Sequence, residues 1–243
     1  MNPAVVVIPT YNEAENIRSI IEAVLALPIA LDILVVDDNS PDGTASIVKD
    51  LMKVHSQLQL SVREKKEGLG PAYVHGFRRA LEKGYLYLFE MDADFSHPPE
   101  ALVPMFELLE QNKADLVVGS RYKNGIRVRN WPLGRILLSV GASLYVRFIT
   151  GLPVTDPTAG FVGYQTHVLR TLDLEDIRFK GYAFQIALKF WAWKKDFRIA
   201  EFPIIFADRI HGDSKMNSSI ISEAIFGILA MKWRSMLNNK KYE

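Results

Sequence analysis

A chain of 243 residues with 49% hydrophobic and 23% charged side chains is globular material with apolar content for a full core, in one large domain or one domain with an appendage. Its 29 Lys and Arg against 28 Asp and Glu leave a formal charge of +1, which excludes a global field for holding nucleic acid, so no nucleic-acid partner is expected. The lack of cysteine excludes disulfides and thiolate metal sites, and Met1-Asn2-Pro3 does not read as a signal peptide, so a cytoplasmic location is expected.

In chain order, Ala4 to Ile8 is an unbroken apolar run closed by Pro9, the pattern of a strand buried on both faces. A helix follows, with Asn12 as its predicted cap, Glu15 as the capping-box partner, and Ile17, Ile20, Ile21, Val24 and Leu25 on one face. Asp32 to Val36 repeats the strand pattern and runs into the polar turn Asp37-Asp38-Asn39-Ser40-Pro41-Asp42-Gly43-Thr44. Leu58 to Val62 with a helix from about Leu69 to Glu82, and Tyr85 to Met91 with a helix over Pro99 to Gln111, continue the alternation, and Asp115 to Gly119 gives a fifth strand. This order predicts an α/β fold with a mostly parallel central sheet covered by helices, whose ligands sit at the carboxyl ends of the strands.

That edge is where the polar residues gather. Pro9-Thr10-Tyr11-Asn12-Glu13 follows the first strand, Asp37-Asp38 the second and Asp92-Ala93-Asp94 the fourth. Carboxylates at i and i+2 leaving a strand end point the same way, and with no Lys or Arg among their immediate neighbours a divalent cation bridging to a phosphate suits them. The alternative is an acidic surface turn, since Asp and Pro are ordinary turn residues, but random turns would scatter acids over both ends of the sheet. Asp38 is placed to accept hydrogen bonds from a ribose or base, with Asp37 as support for the turn. No Gly-rich phosphate loop follows the first strand, so metal rather than backbone amides is expected to meet the phosphates. Glu67-Gly68-Leu69-Gly70-Pro71 reads as a tight helix entry.

These residues, in this order, resemble the family-2 glycosyltransferases of the GT-A fold, most closely the dolichol-phosphate or polyprenol-phosphate mannose synthases. The resemblance rests on Val7 to Glu13, Val35 to Thr44, Met91-Asp92-Ala93-Asp94-Phe95-Ser96-His97 and Gly119-Ser120-Arg121-Tyr122, then on Lys180 to Gln185 and Asp208 to Lys215. It implies a GT-A catalytic domain over residues 1–215, with a nucleotide and metal half to about 122 and an acceptor half over 123–215. An amphipathic helix over 216–243, without a membrane span, would follow. It also implies that Pro9, Tyr11, Glu13, Val36 and Asp38 hold the nucleoside, that Asp92 and Asp94 bind Mg2+ or Mn2+ on the donor diphosphate, and that Ala93 passes close to the ribose. Arg121, Arg209 and Lys215 would face the donor's phosphates and sugar. Some members carry Gln two residues beyond the second Asp, where this chain has Ser96, so the third metal ligand stays open.

The implied reaction is inverting transfer of mannose from GDP-mannose to a polyprenyl phosphate, giving a β-linked product. A UDP-sugar enzyme of glucosyl type acting on a polyprenyl phosphate, a family-2 transferase acting on a soluble acceptor, and a non-catalytic nucleotide-binding scaffold subunit are the alternatives, while a nucleotidyltransferase would carry an Arg-containing Gly-rich loop that is missing after the first strand.

From Leu116 to Thr155 the chain has six cations, Arg121, Lys123, Arg127, Arg129, Arg135 and Arg147, and no Asp or Glu. Interleaved with Trp131, Leu133, Leu137 and Leu138, they suit a ligand that is anionic at one end and apolar at the other; a solvated basic face is the alternative. The resemblance places Arg135 and Ser139 near the acceptor phosphate and makes Asp156 an organiser of the reacting shell. The eleven residues between Arg135 and Arg147 fall short of the ~20 that cross a bilayer, so the expected partner is a membrane surface or a membrane-anchoring protein, met from the cytoplasmic face. The five histidines are scattered without metal-ligand spacing, and Trp191 and Trp193 read as core.

Overall fold

The computed structural model describes residues 2–175, 177, 179, 181–208 and 218–239. Strand β1 (Ala4–Thr10) leads through a turn to α1 (Ile17–Leu25), and β2 (Leu31–Asp37), α2 (Thr44–Met52), β3 (Leu58–Val62), α3 (Leu69–Lys83) and β4 (Tyr87–Glu90) follow. A short 3-10 turn, Pro99–Ala101, opens α4 (Leu102–Glu110), and then come β5 (Leu116–Ser120), β6 (Val128–Arg129), α5 (Leu133–Thr150), β7 (Val162–Gln165) and α6 (Thr166–Thr171). The chain continues through α7 (Tyr182–Lys194), β8 (Ile199–Pro203), β9 (Phe206–Ala207) and α8 (Ser218–Asn239).

Seven strands form one sheet in the order β3-β2-β1-β4-β7-β5-β8, and β6 pairs with β9 beside it. All main-sheet pairs are parallel except those of β7, which runs antiparallel to β4 and β5. β1 shows why the sheet is central: Val5 and Val7 enter one apolar layer with Phe77 and Phe184, while Val6 and Ile8 enter the other with Ile20 and Met105. Each strand face is thus covered, as a continuous β-branched run requires. β7 fits between its neighbours because Gly163 carries no side chain; a Cβ there would lie 2.5 Å from the Phe89 ring.

Two local expectations are corrected, at Asn12 and at α5. Asn12 does not cap α1: it has φ 59° and its N–H donates to Ser40 Oγ (3.0 Å), and the helix begins only at Ile17. The Gly68-Leu69-Gly70 entry to α3 is as tight as expected, with Gly68 at the start of the helix and no room for a Cβ on Gly70 against the Phe179 carbonyl. The expectation that no segment is long enough to cross a bilayer also fails on length and composition. Helix α5 passes that test over Leu133–Thr150, with only 17% of the window buried, because Arg135 and Arg147 fall inside a helix that continues past both. The C-terminal helix is present but not conventionally amphipathic. Ile228, Met231 and Ser235 face inward, while Phe226, Trp233 and Met236 face out.

Candidate functional site

The carboxyl ends of β1, β2, β4 and β5 meet at one edge of the sheet, and the expected residues lie there. Pro9 pairs in register with the buried Val36. Asp37 supports the turn, accepting from Thr10 Oγ1 (2.8 Å), Ser40 N (2.9 Å) and Ser40 Oγ (2.7 Å). Asp38 lies beside it, its N–H on the Thr10 carbonyl (3.0 Å) and its carboxylate accepting from Arg63 Nη1 (2.8 Å). Burial pushes the Asp38 carboxyl above its usual value, against the opposing pull of the Arg63 guanidinium. Arg63 went unassigned in the sequence because it follows the end of β3, 25 residues from its partner. Tyr11 is covered by the Lys66 ammonium, 4.0 Å from the ring centre, and Glu13 accepts from Asn16 Nδ2 (3.0 Å).

Beyond β4 the chain turns through Phe95, whose φ of 60° curls it back on the acidic pair. Tyr73 Oη donates to Asp92 Oδ1 (3.4 Å), and Asp94 Oδ1 accepts from Ser96 N (3.1 Å). Ala93, between them, is buried. The Ser96 hydroxyl is buried and has no hydrogen-bond partner among the described residues. A buried oxygen without a partner is costly, and two carboxylates plus this hydroxyl form an all-oxygen set of the kind hard divalent cations take. The residues present therefore fit Mg2+ or Mn2+. No group of three or more His, Cys, Asp or Glu is assembled among the described residues, so the remaining ligands would be hydroxyl, water and donor phosphate oxygens.

His97 is a site residue that the sequence reading passed over. Buried beneath the turn, its Nδ1 accepts the Asp92 N–H (3.1 Å) and its ring stacks on Phe161 with centroids 5.0 Å apart. Burial holds its pKa below the usual imidazole value, so it is neutral and free to accept. Its position directly after Asp92-Ala93-Asp94-Phe95-Ser96 was the available signal.

Directly after β5, Arg121 is held by Asp156 through the backbone N (2.9 Å), Nε (2.7 Å) and Nη2 (2.7 Å), and Nη2 also donates to Thr158 Oγ1 (2.7 Å). Burial would raise the Asp156 carboxyl, but the Arg121 charge and hydrogen bonds hold it below the usual carboxylate range. Asp156 thus fixes the direction of the Arg121 guanidinium. Arg121 and Arg135 approach the same Trp131 ring, at 5.7 and 4.0 Å. Phe206 lies edge-on to both Trp131 (5.3 Å) and His97 (5.5 Å), so a single aromatic cluster joins the acidic turn to the start of α5. There Arg135 donates to Asp208 (2.8 Å) and Ser139, one turn on, accepts from Tyr122 Oη (2.7 Å). Arg209 and Lys215, expected at the donor phosphates, lie outside the described residues.

Beneath the site, Glu90 accepts from Tyr164 Oη (2.6 Å) and from Gln185 Nε2, and burial pushes it up to about 7. Lys189, on the next turn of α7, is pulled down to about 8 by burial against the attraction of Glu90 and Asp156.

The sequence profile of Glycosyl transferase family 2 matches residues 5–173. This chain belongs to glycosyltransferase family 2. It is 43% identical over 237 residues to a polyprenol monophosphomannose synthase of Mycolicibacterium smegmatis, covering 97% of this chain and 89% of that protein. It is 42% identical over 234 residues to an undecaprenyl-phosphate mannosyltransferase of Micrococcus luteus, covering 95% and 96%. A glucosyl-3-phosphoglycerate synthase of Mycobacterium tuberculosis, solved with Mn2+, UDP and its product, superimposes with a TM-score of 0.66 at 20% identity, over 96% of this chain and 80% of that one. A mannosyltransferase of Pyrobaculum calidifontis, solved with GDP-Man and Mn2+, gives 0.60 at 16% identity, over 100% and 76%. At those identities the likeness is one of fold, and the α/β GT-A architecture expected of this glycosyltransferase is borne out.

Proposed function

We propose that this glycosyltransferase moves mannose from GDP-mannose to a polyprenyl phosphate with inversion, working at the cytoplasmic face of a membrane. The observation that carries the reading is the aromatic cluster of His97, Phe206 and Trp131, which links an all-oxygen cation site to a cationic, acid-free helix with an apolar outer face. Near-full-length relatives named for mannose transfer to polyprenyl phosphates support it. In this reading residues 1–122 serve the donor and 123–215 the acceptor, and the 216–243 segment helps to meet the membrane.

Pro9, Tyr11, Glu13, Val36 and Asp38 would hold the nucleoside, with Ala93 close to the ribose. Asp92, Asp94 and Ser96 would hold the divalent cation, which when bound neutralises charge on the departing diphosphate. Arg121, fixed in direction by Asp156, adds a cation that needs no reorganisation as that charge develops, and Arg209 and Lys215 would complete the cationic set. Arg135 and Ser139 would orient the acceptor phosphate. A phosphate monoester, with a second pKa of roughly 6, is already largely dianionic near neutral pH, so the chain needs no general base. Its task is to aim one phosphate oxygen at the anomeric carbon, opposite the leaving group. In-line attack of that kind inverts the anomeric centre.

Calorimetric titration with GDP-mannose and UDP-glucose, each with and without Mn2+, tests the reading. GDP-mannose is expected to bind only with metal, and Asp94→Asn to weaken that binding at least about tenfold while the circular dichroism spectrum stays unchanged. Preference for UDP-glucose would move the reading to a glucosyl-type enzyme, and unchanged metal-dependent affinity in Asp94→Asn would refute the cation site.

A further inference from the structure

The acidic turn after β4 and Arg121 after β5 approach the donor site from different elements, with β7 between them. Their relative placement therefore needs a body that touches both, and helix α7 is that body. Gln185 and Lys189 lie one turn apart on its buried face, with 1% and 0% of their surfaces exposed. Gln185 Nε2 donates to Glu90 on the strand that delivers Asp92. Lys189 Nζ donates to the Ala159 carbonyl (2.7 Å), the Gln185 carbonyl (3.0 Å) and, at 3.5 Å, Gln185 Oε1. Ala159 stands directly after the Asp156 and Thr158 side chains that hold Arg121 and two residues before Phe161, the stacking surface of His97.

An ammonium in this position costs desolvation that a methionine of similar length would avoid. The attraction of Glu90 and Asp156 offsets part of that cost. What the ammonium adds is a directional bond to one loop carbonyl. We propose that Lys189 is a positioning residue for the donor site: by holding the Ala159 carbonyl it fixes the 155–160 loop and thereby the direction in which Asp156 presents Arg121. The proposal rests on reading Arg121 as a donor-phosphate residue. Lys189 itself would touch neither donor, acceptor nor metal.

The test reads Arg121 directly in the ligand-free full chain. Its Nε–H, bonded to Asp156, gives a protected NMR resonance that is assigned by its loss in Arg121→Lys. In Lys189→Met that proton is expected to exchange at least about tenfold faster while the amides of β1 and β2 keep wild-type protection. The kcat for transfer should fall about 10–100-fold, with the acceptor KM changed less than about threefold. Unchanged Arg121 exchange, or an equal loss of protection across β1 and β2, would overturn the proposal, the second result marking a merely structural lysine. Lys189→Gln, which keeps a polar group at the position, carries the same measurement should the methionine variant fail to fold. If the wild-type enzyme transfers no sugar, the functional reading fails while the Arg121 exchange still decides the positioning role.

Discussion

Arg121 and Arg135 meet the same indole, yet they are held in different ways. Arg121 is buried and fixed by three bonds to Asp156 and one to Thr158, whereas Arg135 is about a third exposed and makes one ion pair with the similarly exposed Asp208. The first is preorganised, and the second can exchange one anion for another at little cost, as screening at that exposure keeps such a pair weak. Arg135→Ala is accordingly expected to lower kcat/KM for the lipid acceptor by about 10–100-fold, the loss of one charge-assisted phosphate contact of ~1.5–3 kcal/mol, while the Kd for the donor stays within about twofold. Steady-state kinetics with calorimetry checks this, and the reverse pattern would place Arg135 at the donor. At this scale the sequence was informative wherever chemistry follows from residue type and strand-end position, as for Asp92, Asp94 and the supporting Asp37. It was silent on His97 and Arg63, whose roles arise from a left-handed Phe95 and from a contact across two strand ends.

The first five strands and their helices were legible because continuous β-branched runs and helical spacing report burial directly. The second half was not, for reasons visible in the elements themselves. β7 is four residues long, contains Gly163 and runs against its neighbours; nothing in so short a run distinguishes insertion between β4 and β5 from a place at the edge. The β8 edge strand is instead secured by a polar lock. Asp115 accepts from Arg198 N (2.8 Å), Nε (3.0 Å) and Nη2 (2.8 Å), while Arg198 Nη1 donates to the Asn112 carbonyl (2.7 Å). Hydrogen bonds from Arg198 hold the Asp115 carboxyl below its usual value. A carboxyl that is easier to ionise when folded stabilises the fold above its unfolded pKa of about 4, and that contribution is lost as pH falls through the lower folded value. Asp115→Asn should therefore lower Tm by about 2–4 °C at pH 7, with the gap to wild type closing as pH falls below the ordinary carboxyl value. A pH-independent difference in thermal melts would refute the ionic role of this lock.

For the molecule as a whole, the unusual feature is an apolar surface formed by two adjacent helices. Lys232 Nζ on α8 donates to the Thr150 carbonyl at the end of α5 (3.3 Å), and Tyr145 Oη donates to the Ile225 carbonyl (3.1 Å), so α8 is joined to the C-terminal part of α5. Outward from it project Leu137, Phe148 and Trp233, with Phe148 88% and Trp233 67% exposed. The surface charges of α5 are both arginines. Exposed apolar side chains on two joined helices, with arginines on one of them, suit an anionic lipid surface. Phe148→Glu combined with Trp233→Glu should reduce sedimentation with phosphatidylglycerol vesicles at least about tenfold and leave metal-dependent donor binding intact. Equal partitioning of variant and wild type would show that these helices do not meet lipid.

Because Arg135 and Ser139 lie on α5 itself, the helix that would rest on the bilayer is also the one that would receive the acceptor. An enzyme so placed would search for its second substrate in two dimensions. Its turnover would follow the mole fraction of polyprenyl phosphate in the surrounding lipid, so that adding inert lipid at a fixed total amount of acceptor would slow the reaction, while the soluble donor would still be sampled from bulk solution.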